Sequence, residues 1–196
     1  MQSHFLALPE GYREICHVDA KNKKTGLILN GIGLVLTVLL VIPAVLLADL
    51  SKLRIEKLLL YDIVFLAALV GYLVLHELVH GAAYKLLTKE KLTFGFSWSC
   101  AYCGVPQCWV SRKTALISLA APLTVFSLVF LPLAICTYAV SVEAFLLFAF
   151  LFAVHIGGCT GDLYMMFLLC FKYKDPALLM RDTGPEQWLY LPSPEA

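Results

Sequence analysis

Four long apolar stretches constrain this chain more than any other feature of its sequence. They run over about 26–48, 61–87, 114–140 and 142–171, and each exceeds the roughly 20 residues that a helix needs to cross about 30 Å of hydrocarbon. Apolar residues make up 60% of the 196 residues and charged residues only 15%. Because a soluble domain of this length cannot bury such an excess, the sequence predicts an all-α polytopic membrane protein with about four transmembrane helices.

The first apolar stretch is too long for the core of a signal peptide, and no small-residue cleavage site follows it. We therefore expect it to remain as a membrane anchor. No internal repeat or low-complexity tract divides the chain. The expected organisation is a single integral membrane domain over residues 1–196, in which 172–196 form a cytoplasmic tail.

Positive charges predict the orientation of the helices. If both termini are cytoplasmic, twelve of the fifteen Lys and Arg residues lie on cytoplasmic segments, and only Lys52, Arg54 and Lys57 lie outside. The positive-inside rule favours this arrangement. The net charge of +1 argues against a nucleic-acid partner, so the expected partners are the lipid bilayer and a membrane-associated protein or peptide substrate. The sequence leaves the oligomeric state open.

The sharpest chemical signal is the segment His76-Glu77-Leu78-Val79-His80 inside the second apolar stretch. Histidines at positions i and i+4 of a helix share one face, so both imidazoles can reach one metal ion. Glu77 is about 100° around the helix from His76, where a general base can take a proton from metal-bound water. Ionisable groups at membrane depth cost at least about 2.5–3.5 kcal/mol, which makes them functional candidates, although a structural polar pair between helices is the alternative.

A catalytic zinc ion needs a third protein ligand and a fourth position left open for water. Membrane depth favours Asp162 as that ligand. The midpoint of His76 and His80 and the position of Asp162 both lie about nine residues, roughly 13 Å, from the same predicted membrane face. The two helices run in the same direction, so the match does not depend on the choice of end.

His155 is the alternative third ligand. It lies about two helical turns before Asp162, but a break in that helix at Gly157, Gly158 and Gly161 would bring it nearer. Otherwise His155 can donate a hydrogen bond to a ligand or an oxyanion, or simply join two helices. The glycines can also serve close helix packing alone.

The segment 92–110 differs from the rest of the chain because it is rich in aromatic and β-branched residues and partly alternates. Gly104 and Pro106 mark a turn within it. We predict a short hairpin or re-entrant loop between helices two and three, with a plain connecting loop as the alternative. Since a strand beside an active site can bind an extended peptide as a further strand, Phe96 and Trp98 are candidate substrate-binding residues.

Seven cysteines are scattered along the chain, and three of them, Cys100, Cys103 and Cys108, cluster in this segment. They offer three thiols without a fourth ligand, which is a weak signal for a structural zinc site. Free cysteine is also a common apolar filler. The predicted cytoplasmic position is a reducing compartment, so no disulfide framework is predicted.

A family resemblance joins these motifs. His76-Glu77-Leu78-Val79-His80-Gly81, followed by Ala120-Ala121-Pro122-Leu123 and Gly161-Asp162-Leu163, resembles the site-2 protease type of intramembrane zinc metalloprotease. The chain is most similar to a small bacterial family of predicted zincin peptidases whose function is mostly unassigned, and the resemblance covers nearly its whole length. It implies that His76, His80 and Asp162 bind Zn²⁺, that Glu77 is the catalytic acid/base, and that the membrane is the bacterial cytoplasmic membrane.

The predicted function is therefore that of an HExxH-type metallopeptidase within the membrane. It would hydrolyse peptide bonds of membrane-associated substrates by zinc-activated water, with Glu77 as general base. One alternative is a non-proteolytic adaptor that holds the metal for structure. Another is a proton or metal-ion transporter with Glu77 and Asp162 as a relay, although the chain lacks the inverted repeat that many transporters show.

Overall fold

The structure, a computed structural model, describes residues 3–98 and 100–193. Helices make up most of it: α1 (Lys23–Leu47), α2 (Ile55–Thr88), α3 (Arg112–Tyr138), α4 (Val142–Gly158) and α5 (Thr160–Phe167). A 3-10 turn (Leu50–Lys52) follows α1, and a π-helical turn (Leu168–Lys172) continues α5.

The helices agree with the predicted membrane protein. By length and composition α1, α2 and α3 can each cross a membrane, and α4 with α5 adds a fourth span if the broken pair is counted as one. Large apolar side chains along these helices are exposed, among them Leu34, Leu59 and Leu128 at 65%, 72% and 71%. Such continuous apolar surface is suited to lipid rather than water.

The predicted fourth span is interrupted. The chain leaves helical hydrogen bonding at Cys159, between Gly158 and the start of α5 at Thr160. The Thr160 hydroxyl donates to the Gly157 carbonyl at 2.6 Å, and the Cys159 amide is directed to the carbonyls of His155 and Gly157, so side chain and backbone together cap the end of α4. The break lies among the three glycines that the sequence singled out, where helix propensity is lowest.

The all-α class is an overstatement, because the structure contains a five-stranded antiparallel sheet. Its strands, in spatial order, are β1 (His4–Phe5), β5 (Trp109–Ser111), β6 (Leu179–Asp182), β7 (Glu186–Pro192) and β2 (Tyr12–Asp19). The sheet is built from the N-terminal segment, from the end of segment 92–110 and from the residues predicted to be a plain cytoplasmic tail. Sheet and helices together make the fold mixed.

Local sequence patterns do not reveal this sheet. β2 pairs with β7 so that Tyr12 lies opposite Pro192 and Asp19 lies opposite Glu186. These partners stand at opposite ends of the chain, and strand propensity depends mainly on the neighbours a strand finds in the folded state. The pairing is therefore decided by tertiary contacts.

The predicted hairpin is present between α2 and α3. It consists of β3 (Thr93–Phe96) and β4 (Ala101–Gly104), with Thr93 opposite Gly104 and Phe96 opposite Ala101. The Phe94 ring lies against Gly81 of α2 so closely that a Cβ added to this glycine would be 2.7 Å from the ring. The hairpin thus packs on α2 at the residue that follows His80.

The chain forms two compact units. The first comprises Met1–Leu29, His76–Pro122 and Gly161–Ala196, and the second comprises Asn30–Leu75 and Leu123–Thr160. In the first unit the hairpin, the sheet and the helices surround a core that includes Tyr84, Val105, Val110, Leu119, Met165, Leu169, Met180 and Leu189. The second unit is helical and contains a buried cluster of Tyr72, Phe126, Phe130 and His155.

Candidate metal centre

Two histidines of α2 form the base of the candidate site. His76 and His80 lie one turn apart, each is 7% exposed, and their ring centroids are 5.0 Å from each other. Leucine and alanine are the commonest residues in this part of α2, and both favour helix. In lipid the backbone must also satisfy its own hydrogen bonds, which keeps the helix regular and the two rings on one face.

The structure brings Asp162 to the same point. Its Oδ2 atom lies 3.4 Å from His76 Nε2 and 3.3 Å from His80 Nε2. One ligand atom from each of the three residues lies within 4.8 Å of the others, as a shared metal ion requires. All three residues belong to the first unit.

These distances test whether the group fits zinc. A charge-assisted N–H···O hydrogen bond is usually about 2.7–2.9 Å long, which is shorter than either contact. Two ligand atoms at about 2.0–2.1 Å from a tetrahedral zinc ion lie about 3.3 Å apart, and the observed distances are 3.3 and 3.4 Å. Two imidazoles and one carboxylate are also a zinc ligand set that leaves one position open. The residues fit zinc in spacing and in chemistry.

The ring of His80 is held by α3. Its Nδ1 atom is 2.9 Å from the Ser118 carbonyl oxygen. A carbonyl can only accept, so Nδ1 carries a proton, and in the neutral ring Nε2 is the nitrogen available to bind a metal. A hydrogen bond of this kind fixes the tautomer and orientation of metal-binding histidines. Sequence reasoning missed Ser118, although a signal was present: Pro122, four residues later in α3, lacks the N–H that would otherwise bond this carbonyl.

Glu77 lies between the two histidines along α2 and is partly buried. Its electrostatic neighbours include His76, His80 and Asp162. Within residues 3–98 and 100–193 its carboxylate makes no hydrogen bond or ion pair. A carboxylate beside the site that is not engaged elsewhere can accept a proton there.

His155 lies in the second unit and is fully buried. Its Nδ1 atom is 3.0 Å from the Tyr72 hydroxyl, and its Nε2 atom is 3.2 Å from the Ser127 hydroxyl. Both ring nitrogens therefore have partners on α2 and α3 within that unit. Of the alternatives for His155, these contacts favour a hydrogen bond between helices.

The two predicted substrate-binding residues lie on the hairpin. Phe96 is 79% exposed and Trp98 is 55% exposed, and the Trp98 indole donates to the Lys21 carbonyl at 2.9 Å. The hairpin residue that contacts α2 is Phe94, which the sequence did not single out. A strand alternates its side chains, so Phe94 and Phe96 share one face of β3.

The three clustered cysteines do not form a metal group among the described residues. Cys103 and Cys108 are buried. Burial raises the pKa of the Cys103 thiol to about 12 and that of the Cys108 thiol to about 11. Both thiols are therefore protonated at neutral pH and unreactive as nucleophiles. The contacts agree with the apolar-filler interpretation, since Cys108 belongs to the core of the first unit.

The described chain combines helices suited to a membrane with three residues, His76, His80 and Asp162, that could hold a metal ion. Residues 69–176 match the family described as "putative zincin peptidase". Because this match covers more than half of the 196 residues, the chain belongs to that family. The family description implies zinc and suggests a metallopeptidase role. No curated protein and no solved structure matches the chain.

Proposed function

We propose that this protein is an intramembrane zinc metalloprotease of the site-2 protease type, which hydrolyses peptide bonds in membrane-associated proteins or peptides. One observation supports this function above all others. The ligand atoms of His76, His80 and Asp162 converge at zinc-ligand spacing beside the unengaged carboxylate of Glu77. Their helices belong to segments suited to a membrane, so the substrate bond would be cut at membrane depth.

Each residue has a distinct role in the proposed reaction. His76 Nε2, His80 Nε2 and one Asp162 oxygen would hold Zn²⁺, and the Ser118 carbonyl keeps the His80 ring oriented. When bound, Zn²⁺ would supply Lewis-acid chemistry that activates water and polarises the scissile carbonyl. The Glu77 carboxylate would accept a proton from the attacking water as its oxygen bonds to the carbonyl carbon, and would give that proton to the amine nitrogen as the C–N bond breaks.

The experiment that tests this function is cleavage of a transmembrane peptide by the purified protein in liposomes, compared with Glu77→Gln at equal zinc content. A metal-holding adaptor would need the three ligands but not Glu77. Zinc-loaded wild-type protein that cleaves no peptide would therefore favour the adaptor. A flux of protons or metal ions that depends on Glu77 and Asp162 would favour the transporter.

We further propose that the hairpin binds the substrate as an additional strand. Among the described strands β3 pairs only with β4, so one edge of β3 has unpaired backbone groups. Phe94 places this strand against Gly81, next to His80. Main-chain hydrogen bonds to such an edge supply affinity with little dependence on side chains, and Phe96 and Trp98 offer exposed apolar contacts.

Proline at Phe96 or Trp98 should weaken cleavage by about 10-fold, since proline removes the N–H that an added strand would use. Zinc content should stay unchanged. The measurement is kcat/KM on a transmembrane peptide together with metal analysis. Phe96→Ala is the matched control, because it removes the ring and keeps the backbone N–H. It should lower kcat/KM by less than proline at the same position. Loss of zinc in the proline variants would instead show that the hairpin supports the metal centre.

We also propose that the whole chain acts as one integral domain of the bacterial cytoplasmic membrane with both termini in the cytoplasm. The distribution of Lys and Arg supports this orientation: the connection between α1 and α2 carries only Lys52 and Arg54, with Lys57 in the first turn of α2. The other twelve lie before α1 and in its first turn, from the last turn of α2 to the first turn of α3, and after α5.

A single cysteine at Ser51 should react with a membrane-impermeant thiol reagent in intact cells. Ser51 is exposed in the connection between α1 and α2. The native Cys136, which is exposed near the end of α3, should first be replaced by serine to remove background labelling. The control is cysteine at Lys174, an exposed residue after α5 that should react only after permeabilisation. Labelling at Lys174 but not Ser51 in intact cells would invert the orientation.

A further inference from the structure

A buried carboxylate outside the candidate metal centre contacts the metal-binding helix. Asp182, at the end of β6, is 2% exposed. Its Oδ2 atom accepts a 2.6 Å hydrogen bond from the Tyr84 hydroxyl of α2 and a 3.3 Å bond from Gln187, and its Oδ1 atom accepts from the Gly184 amide at 2.8 Å. Within residues 3–98 and 100–193 no Lys, Arg or His forms an ion pair with it.

Burying this carboxylate without a cation weakens the fold. Burial raises the pKa of Asp182 to about 6, so the group is mostly ionised at neutral pH in a place that disfavours its charge. Three donors, the Tyr84 hydroxyl, the Gly184 amide and the Gln187 amide, offset part of this cost. The charge does strengthen the bond from Tyr84, because hydrogen bonds to ionised acceptors are roughly twice as strong as neutral ones.

Tyr84 connects this bond to the metal centre. It lies one helical turn after His80 and two turns after His76, and it is 1% exposed. A helix turns about 100° per residue, so Tyr84 and His80 point in nearly the same direction. A rotation of α2 that turned His80 away from Asp162 would also pull the Tyr84 hydroxyl away from Asp182.

The main chain of the same turn contacts the hairpin. The Asp182 carbonyl accepts from the Val105 amide at 2.8 Å, directly after β4. Gly184 has a φ of 100°, and a Cβ at this position would collide with the Tyr102 ring. A Cβ at Gly104 would likewise collide with the Gly184 backbone. The turn therefore holds α2 with a side chain and the hairpin with its backbone, all within the first unit.

We propose that the turn Asp182-Thr183-Gly184 sets the position of the metal-binding helix relative to the hairpin. Asp182 is the positioning residue, and it acts through the Tyr84 hydroxyl. The turn lies outside residues 69–176, which carry the family match. This positioning role rests on the proposed function, which places the metal on His76 and His80 of α2. The test measures metal binding and does not require proteolysis.

The test replaces the native metal by Co²⁺, whose visible spectrum reports the geometry of its ligands. The variants are Asp182→Asn, Tyr84→Phe and their combination. The matched control is Asp175→Asn, since this exposed carboxylate also follows α5 but only accepts from the Ala177 amide. Purified protein in detergent is titrated with Co²⁺ to obtain the Kd and the spectrum, and its thermal midpoint is measured.

Each single variant should raise the Kd for Co²⁺ by about 10-fold and shift the spectrum, the scale seen when groups that orient metal ligands are removed. The double variant should bind Co²⁺ as tightly as the single variant with the larger Kd, because both substitutions break the same hydrogen bond between Tyr84 and Asp182. Asp175→Asn should match the wild type. Asp182→Asn should also lower the thermal midpoint, because its NH2 group would face donors where the carboxylate accepts; the Kd and spectrum of bound Co²⁺ are therefore the readouts that a merely structural role would not move.

Unchanged Kd and spectrum in both single variants would overturn the inference. So would a double variant in which the two single increases in the Kd for Co²⁺ multiply, because the two changes would then act independently. If the wild type binds Co²⁺ as expected but cleaves no peptide, the proposed proteolysis fails while the positioning role is still decided by these measurements.

Discussion

Glu77→Gln should abolish peptide cleavage while zinc stays bound at about one ion per chain. The three atoms at zinc-ligand spacing come from His76, His80 and Asp162, so the substitution leaves the ligand set intact. Glutamine has nearly the same shape as glutamate but cannot take a proton from water. General acid–base groups contribute about 10²–10⁴-fold to rate, so kcat should fall by at least that factor.

The measurement is single-turnover cleavage of a transmembrane peptide, with zinc determined on the same preparation. Glu56→Gln is a matched control, because Glu56 is an exposed residue in the first turn of the same helix. It should cleave at the wild-type rate. Normal proteolysis by Glu77→Gln would refute the general-base role, and loss of zinc would mean that Glu77 itself is a ligand.

Asp162→Ala should lose most of its zinc and all activity. The substitution leaves only two histidines, and zinc sites with an open position use three protein ligands. His80 would still be held by Ser118, so the histidines should stay oriented without binding tightly. Zinc stoichiometry after dialysis against a weak chelator measures the effect. Asp62→Ala is the control, since Asp62 is an exposed carboxylate on α2.

His155→Ala should keep its zinc. The His155 ring is held by Tyr72 and Ser127 in the second unit, so its removal should lower thermal stability rather than metal content. The opposite pattern, zinc lost with His155→Ala and retained with Asp162→Ala, would identify a three-histidine site. Measuring both variants in parallel separates the two ligand sets.

The sequence alone determined the features that depend on local spacing and on membrane thickness. Histidines at i and i+4 share a helical face wherever the helix lies, so their spacing alone pairs His76 with His80. Asp162 could be placed beside them because a bilayer has a nearly constant thickness, which turns position along a span into depth. The apolar stretches and the hairpin likewise follow from local composition.

Only the tertiary structure decided the contacts between residues distant in sequence. The five-stranded sheet pairs the two ends of the chain, and neither β2 nor β7 carries a local signal for its partner. Pro122 leaves the Ser118 carbonyl without its helical donor, but only the fold shows that His80 is the group that donates to it. Tyr84 and Asp182 meet across 98 positions. Such contacts exist only after folding has closed long loops, and local residue patterns contain no information about which loops will close.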